Sequence, residues 1–405
     1  MHLHCLLYYY NIAEIQAYPS LPMHILHREV FSMIYVVRPG DTLYAISQRY
    51  GLPVEQIAWL NQIPDPDVLV EGQALLLLYN SKSGPFSIQV NGYAYPFISP
   101  WVLGETLRNL DLLSVFSYGF TPEGQLLPPI LSDRWMVERA AARGVRSALV
   151  LTPLDWEGAF SNYLISTMLE SREAQIRLLQ ELQQTMEAIG YSELNIDFEY
   201  ILPEDRDRFT AFVALAAQML PYPVSVCLAP KTSRNQRGLL YEGKDYAAIG
   251  RVADRVLLMT YEWGYKYGPP LAVAPLESVR RVVEYALTEI PAEKISLGLA
   301  NYGYDWPLPY VQGETVARTI GSIEAVELAR RNRTNIIFDW PSKSPWFQYT
   351  DGAGIRHVVW FEDVRSWQWK FDLIKEYGLT GVGIWTIMNL NRPGLYLLGD
   401  TVRAN

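Results

Sequence analysis

Short apolar runs rich in β-branched and aromatic residues recur along most of this 405-residue chain and alternate with stretches of helical character. These runs are residues 87–93, 112–116, 147–151, 194–199, 224–228, 256–261, 295–299 and 381–385. Strands that alternate with helices favour a parallel sheet, and eight such units favour closure into a (β/α)8 TIM barrel. The sequence therefore predicts an α/β fold with a barrel over residues 86–405.

The interval between the seventh and eighth predicted strands is unusually long. It covers residues 301–370 and contains aromatic and proline-rich stretches. Loops of this length often carry structure of their own and wall a functional cleft. We expect an insertion at about residues 305–365, over one side of the barrel mouth. The chemistry of such barrels collects at the C-terminal ends of the strands, so catalytic candidates are sought there.

A smaller module with the order βααβ is predicted at residues 33–79. Thr42 is a candidate N-cap for its first helix, because a threonine hydroxyl can accept a hydrogen bond from a free amide of the first turn. Gly51 is expected to end that helix, since glycine readily adopts the left-handed conformation found there. The polar residues 80–85, which include glycine and proline, are predicted to link this module to the barrel.

The N-terminal residues 1–32 do not read as a secretory signal peptide. No Lys or Arg precedes the short apolar run at residues 5–10, and Asn11 interrupts that run. The first recognisable strand begins directly after Met33, so we expect Met33 to be the biological start. No stretch of the sequence is long enough to predict a membrane span.

Charge and composition argue against several classes of partner. The net charge is −9, the pI is near 5.2, and no basic cluster suggests contacts to nucleic acid. The histidines and acids show no metal-ligand spacing, so we predict no metal and no cofactor. Cys5 and Cys227 lie far apart in sequence and define no disulfide framework.

The fourth predicted strand places three polar side chains on one face. A period of two directs Asn195, Asp197 and Glu199 into the barrel, while the residues between them face outward. Burying two carboxylates is costly, so a purely structural ion pair is the less favoured interpretation. Two neighbouring acids also tend to raise the pKa of one of them, as a general acid at neutral pH requires.

The small module carries a group of motifs in a characteristic order. Residues 35–43 read Tyr-Val-Val-Arg-Pro-Gly-Asp-Thr-Leu, and Leu60-Asn61 and Gly72-Gln73 follow. Together they resemble a LysM domain, which implies binding to chains containing N-acetylglucosamine through two loops. The loop residues concerned are Gly40, Asp41, Thr42, Pro66 and Asp67. For Asp41 and Thr42, simple helix capping remains an equal alternative.

The run Asp197-Phe198-Glu199 resembles the fourth-strand signature of glycoside hydrolase family 18. The resemblance implies that Glu199 is the acid/base and that Asp197 orients the acetamido group of the substrate. The carbonyl oxygen of that group then acts as the nucleophile, so no second enzyme carboxylate is required. The first acid of the family signature would fall at Ser192, and Asn195 stands where chitinases usually have Asp.

Other strand ends carry further candidates by the same resemblance. Tyr261 would donate to the acetamido oxygen, Glu262 occupies the acidic place beside it, and Trp385 resembles the tryptophan beneath the N-acetyl sugar. Additional substrate-binding candidates at the mouth are Asn91, Tyr93, Tyr118, Tyr302, Tyr304 and Asp305. For this last group, loop packing is an equal alternative.

From Met33 onward the chain resembles LysM-containing family 18 proteins of spore-forming bacteria. The likeness implies a monomeric hydrolase, at the spore or cell wall, that cleaves peptidoglycan after N-acetylglucosamine. A chitinase or endo-N-acetylglucosaminidase is an alternative within the same class. A non-catalytic lectin or spore-coat structural protein is an alternative from another class, and the presence of Glu199 favours the enzyme.

Overall fold

The computed structural model describes residues 33–78, 87–154 and 160–401. The expectations for residues 1–32 and for the linker at residues 80–85 lie outside these ranges. In chain order the strands are β1 (Met33–Val36), β2 (Ala74–Leu78), β3 (Gln89–Ala94), β4 (Leu112–Phe120), β5 (Leu126–Leu127), β6 (Arg146–Leu151), β7 (Glu193–Ile196), β8 (Val224–Leu228), β9 (Arg255–Leu258), β10 (Ile295–Ala300), β11 (Gly303–Leu308), β12 (Arg318–Ile320), β13 (Ile337–Asp339), β14 (Ser344–Thr350), β15 (Arg356–Trp360) and β16 (Gly381–Trp385).

Helices fill most of the intervals between these strands. In chain order they are α1 (Leu43–Tyr50), α2 (Val54–Leu60), α3 (Pro100–Thr106), α4 (Arg134–Ala141), α5 (Asn162–Glu170), α6 (Arg172–Ile189), α7 (Arg206–Met219), α8 (Tyr246–Val252), α9 (Leu276–Glu289), α10 (Ser322–Arg331), α11 (Val364–Tyr377) and α12 (Arg392–Thr401). Among the described residues, none of these helices combines the length and apolarity needed to cross a bilayer.

The predicted barrel is confirmed. Within the described ranges, parallel strands follow one another in the order β3, β4, β6, β7, β8, β9, β10 and β16, and β16 pairs with β3 to close the cylinder. Leu194, Val226 and Leu258 are among the fully buried residues that pack these strands against the surrounding helices. Because all the strands run in one direction, the residues that follow them meet at one mouth.

The insertion between β10 and β16 is an antiparallel sheet covered by a helix. Its strands lie in the order β12, β11, β15, β14 and β13, and α10 packs on them through Ala325 and Ala329. Phe347 and Phe361 fill the core of this subdomain, with ring centroids 6.1 Å apart. The sheet brings β11 directly after the end of β10, beside the barrel mouth.

The LysM-like module has the predicted βααβ order, with β1 antiparallel to β2. The hydroxyl of Thr42 accepts a hydrogen bond from the amide of Ala45 at 3.1 Å, and Gly51 ends α1 with φ of 66°. Both residues therefore perform the local roles that the sequence predicts for them.

The small module is fixed against both the barrel and the insertion. The guanidinium of Arg392 lies 4.2 Å from the ring centroid of Trp59 and donates to its carbonyl at 2.6 Å. On the insertion side, the amide of Ile336 donates to the carbonyl of Glu71 at 2.9 Å. Val70 is buried in the core of the insertion itself. The module and the barrel thus share a packed interface.

Candidate active site

The floor of the barrel mouth is a polar network around Asn195, which faces inward as predicted from the strand period. Its side-chain oxygen accepts a hydrogen bond from the Tyr93 hydroxyl at 3.3 Å and one from the Cys227 thiol at 3.4 Å. Its amide donates to the Ser225 hydroxyl at 2.9 Å. Three neighbours, one on β3 and two on β8, therefore hold the Asn195 side chain and leave it little freedom to rotate.

The chain leaves the β-ladder earlier than the sequence predicts. The strand expected at residues 194–199 is β7, which ends at Ile196, although the amide of Asp197 still donates to the carbonyl of Leu151 at 2.9 Å. Tyr200 then takes a φ of 56°, which turns the backbone away. Phe198 packs outward against Phe120, with ring centroids 5.3 Å apart.

Asp197 lies buried above Asn195. Its Oδ1 atom is buried and has no hydrogen-bond partner among the described residues. Burial, followed by the negative charge of Glu199, raises the pKa of Asp197 to about 7. This carboxyl can therefore hold a proton or a negative charge at neutral pH, and its free oxygen is available to a ligand.

Glu199 is the next acid along the chain and is partly buried at the mouth. Burial raises the pKa of its carboxyl, and the ammonium of Lys244 opposes that rise. Two acids this close cannot both ionise without repulsion, so one proton tends to be shared between them near neutral pH. Lys244 was not predicted as a site residue, because it lies in the loop after β8 and no recognisable motif marks it.

Tyr261 follows β9 and lies beside these acids. It is 9% exposed, and burial together with nearby Cys227 and Asp197 raises its pKa well above the ordinary tyrosine value. Its hydroxyl consequently stays protonated over the physiological range. A neutral phenol in this position is a permanent hydrogen-bond donor to whatever occupies the mouth.

Glu262 is brought together with two of the predicted tyrosines. The hydroxyl of Tyr304 donates to both of its carboxylate oxygens, at 2.9 and 3.1 Å, and the hydroxyl of Tyr302 donates to Oε1. Burial raises the pKa of Glu262, and these two hydrogen bonds oppose the rise. The insertion supplies Tyr304 from β11, so the subdomain fixes this acid at the edge of the mouth.

Aromatic rings form the base of the mouth around Trp385. Its ring lies 5.0 Å from Phe116, 5.8 Å from Tyr93 and 6.1 Å from Tyr95, centroid to centroid. Tyr95 was not among the predicted residues, although the strand period that selects Tyr93 also selects the residue two positions later. Its hydroxyl experiences the charges of Asp197 and Glu199, which help to raise its pKa after burial.

Two residues that were predicted at the mouth, Tyr118 and Asn91, lie elsewhere in the structure. Tyr118 is 1% exposed and donates to Asp133 at 2.6 Å, between the barrel wall and α4. The register of β4 against β6 shifts between Val115 and Tyr118, so Tyr118 faces outward although Phe116, two residues earlier, faces inward. Asn91 accepts from Ser114 at 2.9 Å, two residues below Tyr93 in the barrel interior. The prediction for Tyr118 was wrong because the register shift in β4 reverses its side, and the prediction for Asn91 was wrong because it lies too deep in the barrel.

Asp305 was also predicted at the mouth, and this prediction was wrong. Its carboxylate bonds to Tyr349 at 2.9 Å and to His357 at 2.8 Å, within the insertion sheet. Tyr304 precedes it on β11 and points to Glu262, so the period of two sends Asp305 to the opposite face.

The predicted LysM loop residues remain on the surface of the small module. Gly40, Thr42, Pro66 and Asp67 are exposed, and none of them takes part in the contacts to the barrel described above. Asp41 accepts from the Tyr35 hydroxyl at 2.5 Å and from the amide of Arg38 at 2.8 Å. Asp41 thus shapes its loop internally, and Thr42 is the residue that caps α1.

A closed (β/α)8 barrel with two adjacent acids after its fourth strand and an aromatic base is an arrangement suited to glycoside hydrolysis. No group of three or more His, Cys, Asp or Glu side chains in the described part of the chain could hold a metal ion. Residues 156–389 match the model for glycosyl hydrolases family 18, and residues 35–77 match the LysM domain. The chain belongs to glycosyl hydrolase family 18 and carries a LysM domain.

Several known proteins match this chain over most of its length. The cortical fragment-lytic enzyme of Bacillus subtilis (strain 168) is 36% identical over 426 residues, covering 90% of this chain and 96% of that protein. The spore cortex-lytic enzyme SleL of Bacillus megaterium QM B1551 superimposes with a TM-score of 0.86 at 31% identity, covering 93% of this chain and 99% of that chain. SleL of Bacillus cereus gives a TM-score of 0.77 at 33% identity, covering 97% and 95%.

Proposed function

We propose that this glycoside hydrolase cleaves the β-1,4 bond that follows N-acetylglucosamine in peptidoglycan, with spore cortex as its polymer. The observation that carries the proposal is the pair Asp197 and Glu199, buried together beside the phenol of Tyr261. The relatives whose names refer to spore cortex support the choice of polymer. The protein would then act at the spore or cell wall.

The proposed reaction uses the acetamido group of the substrate as the nucleophile. Glu199 protonates the glycosidic oxygen as the bond breaks, and the acetamido carbonyl oxygen attacks the anomeric carbon from the other side. The ionised carboxylate of Asp197 accepts the acetamido N–H and stabilises the oxazolinium ion that forms. Tyr261 donates its hydroxyl proton as a hydrogen bond to the attacking oxygen.

The second step returns the enzyme to its starting state. Glu199, now ionised, takes a proton from water, and that water opens the oxazolinium ring at the anomeric carbon. Two inversions at the same carbon give overall retention of configuration. The ring of Trp385 provides an apolar surface for the sugar in this position, since sugar C–H groups pack well on an aromatic face.

The LysM domain would hold the enzyme on its insoluble substrate. The proposed contact loops contain Gly40, Asp41, Thr42, Pro66 and Asp67, and their exposure supports this role. Binding by a second module raises the effective concentration of the polymer at the mouth without a change in the chemistry.

The test compares the wild type with Glu199→Gln on purified cortex peptidoglycan, with release of reducing ends as the measurement. We expect a loss of at least about 100-fold, since general acid catalysis supplies roughly that factor. The variant should still co-sediment with the polymer, because the LysM domain is unchanged. Equal release by both proteins would refute the catalytic assignment.

The same assay separates cortex from chitin as substrate. Wild-type protein is given cortex fragments and chitin oligomers at matched concentrations of N-acetylglucosamine. We expect a higher kcat/KM on the cortex fragments. Hydrolysis of chitin oligomers without hydrolysis of cortex would identify the alternative, a chitinase.

A further inference from the structure

A lysine is buried beside the proposed catalytic acids. Lys244 is 1% exposed and lies in the loop between β8 and α8. Its ammonium donates to the carbonyl of Cys227 at 3.1 Å. A buried ammonium loses its hydration, so it is stable in the charged form only where negative groups compensate for that loss.

The strand register places this ammonium at the level of the acids. Ile196 at the end of β7 pairs with Val226 of β8, and Asp197 and Cys227 are the residues that follow this pair. The Cys227 side chain points into the barrel and reaches Asn195. The carbonyl that accepts from Lys244 therefore belongs to the wall of the site, one strand away from Asp197.

Contacts on both sides fix the loop that carries Lys244. The carbonyl of Lys244 accepts from the ammonium of Lys231 at 3.0 Å. Gly243 packs so closely on the chain after Glu199 that an added Cβ would lie 2.0 Å from the carbonyl oxygen of Ile201. The backbone around Lys244 and the segment after Glu199 are thus held together, which keeps the ammonium in place.

We propose that Lys244 is the buried counter-ion of the Asp197 and Glu199 pair, a positioning residue that keeps one carboxyl ionised while the other holds the proton. This inference rests on the proposed function, which requires an ionised Asp197 and a protonated Glu199 in the same site. Two buried acids alone would favour protonation of both. A neighbouring cation restores the single negative charge that the oxazolinium ion needs.

The charges around the site agree with this role. Lys244 lowers the pKa of Asp197 and of Glu199, while burial lowers its own pKa and the two acids oppose that change. Tyr93, Tyr95, Tyr261 and Cys227 also face the pair, and burial raises the pKa of each, so they stay neutral. Within the described ranges, Lys244 is the cation whose charge reaches both acids.

The test is the pH dependence of kcat/KM for Lys244→Met on soluble cortex fragments. We expect the acidic limb of the profile to move upward by at least about one pH unit, because an opposite charge at close range shifts a pKa by about 1 to 3. At pH values below the shifted limb, kcat/KM of Lys244→Met should be about tenfold lower than that of the wild type. The difference should shrink toward pH 8.

Lys294→Met is the matched control. The Lys294 ammonium also bonds to two backbone carbonyls, those of Gly250 and Ala253 at 2.9 and 2.8 Å, but it lies just before β10, at the end of the barrel opposite the mouth. Its loss should lower stability and leave the limbs of the profile in place. If the limbs of the pH profile also stay in place in Lys244→Met, the inference is overturned, however low the kcat of that variant is.

Two further variants keep the test decisive. If Lys244→Met does not fold, folding should return in Lys244→Met/Asp197→Asn, where the carboxylate that needs the cation is also gone, and an unfolded double variant contradicts the proposal. Glu199→Gln distinguishes a failure of the proposed function from a failure of the proposed role of Lys244. Full activity of Glu199→Gln rejects the proposed function, whereas an inactive Glu199→Gln with unmoved limbs in Lys244→Met rejects only the role of Lys244.

Discussion

Asp197 shows how one residue can be suited to a reaction and costly for the fold. Its side chain is 5% exposed in total, its Oδ1 atom lacks a partner among the described residues, and it adjoins a second acid. In the unfolded chain the same carboxyl would be hydrated and fully ionised at neutral pH. Folding therefore makes ionisation of Asp197 harder, and that cost is the source of its proposed reactivity.

We expect Asp197→Asn to stabilise the protein at alkaline pH. The pKa of Asp197 rises from 3.8 unfolded to about 7 folded, so its stabilising contribution is complete below pH 3.8 and is lost as the pH rises through 7. The amide avoids that loss, which amounts to at most about 4 kcal/mol. Thermal unfolding should show a higher Tm than wild type at pH 8 and a small difference at pH 4.

Asp207→Asn is the control for this measurement, because the Asp207 side chain is 87% exposed. It should change the free energy of unfolding by less than about 0.5 kcal/mol at either pH. Lys244 opposes the effect of burial only in part. An Asp197→Asn variant that is less stable than wild type at pH 8 would show that Lys244 compensates the folded carboxylate completely.

At the scale of an element, β7 and the turn after it hold both acids through packing on the opposite face. Phe198 lies between Asp197 and Glu199 in sequence and is fully buried. Its ring contacts Phe120, Phe209 and Phe212, with centroids 5.3, 5.8 and 6.1 Å away. The outward side chain therefore fixes the backbone from which the two inward acids project.

Phe198→Ala should reduce stability and activity together. Truncation of a buried phenylalanine costs about 3 to 5 kcal/mol, and the cavity would let the two acids move. Urea unfolding gives the loss of stability, and kcat on soluble fragments gives the loss of function. Tyr163→Ala, at a side chain that is 82% exposed, should leave both unchanged. A fully active Phe198→Ala would show that the turn is held by other contacts.

At the scale of the whole molecule, the LysM domain packs against both the barrel and the insertion that borders its mouth. Val70 enters the core of the insertion, Arg365 donates to the carbonyl of Gly72 at 3.1 Å, and Arg392 holds Trp59. The insertion also supplies Tyr304 to Glu262. One subdomain thus touches both the proposed polymer-binding module and the edge of the site.

Arg392→Ala should impair hydrolysis of insoluble cortex more than hydrolysis of soluble fragments. The change removes the guanidinium from Trp59 and its hydrogen bond, which costs on the order of 1 to 3 kcal/mol at the interface. A loosened module holds the polymer less well aligned with the mouth, so the rate on sacculi should fall several-fold. Arg177→Ala, on an exposed face of α6, is the control. An equal fall on both substrates would contradict this role.

The sequence by itself determined the features that depend on local periodicity and turn chemistry. A period of two along one strand is enough to assign Asp197 and Phe198 to opposite faces. Thr42 and Gly51 fix the ends of α1 because their roles involve only neighbouring backbone atoms. The repeated alternation of strands and helices likewise determined the barrel, and the long interval after its seventh strand determined the insertion.

Only the tertiary structure decided which distant residues join the acids. Lys244 reaches the site from the loop between β8 and α8, and no local pattern distinguishes it from other lysines. Tyr118 and Asp305 were misplaced for the same reason, since a residue near a strand end can face the mouth, the outer helices or an inserted sheet. The closed barrel and its register set those directions, because they fix the level and rotation of every strand at once.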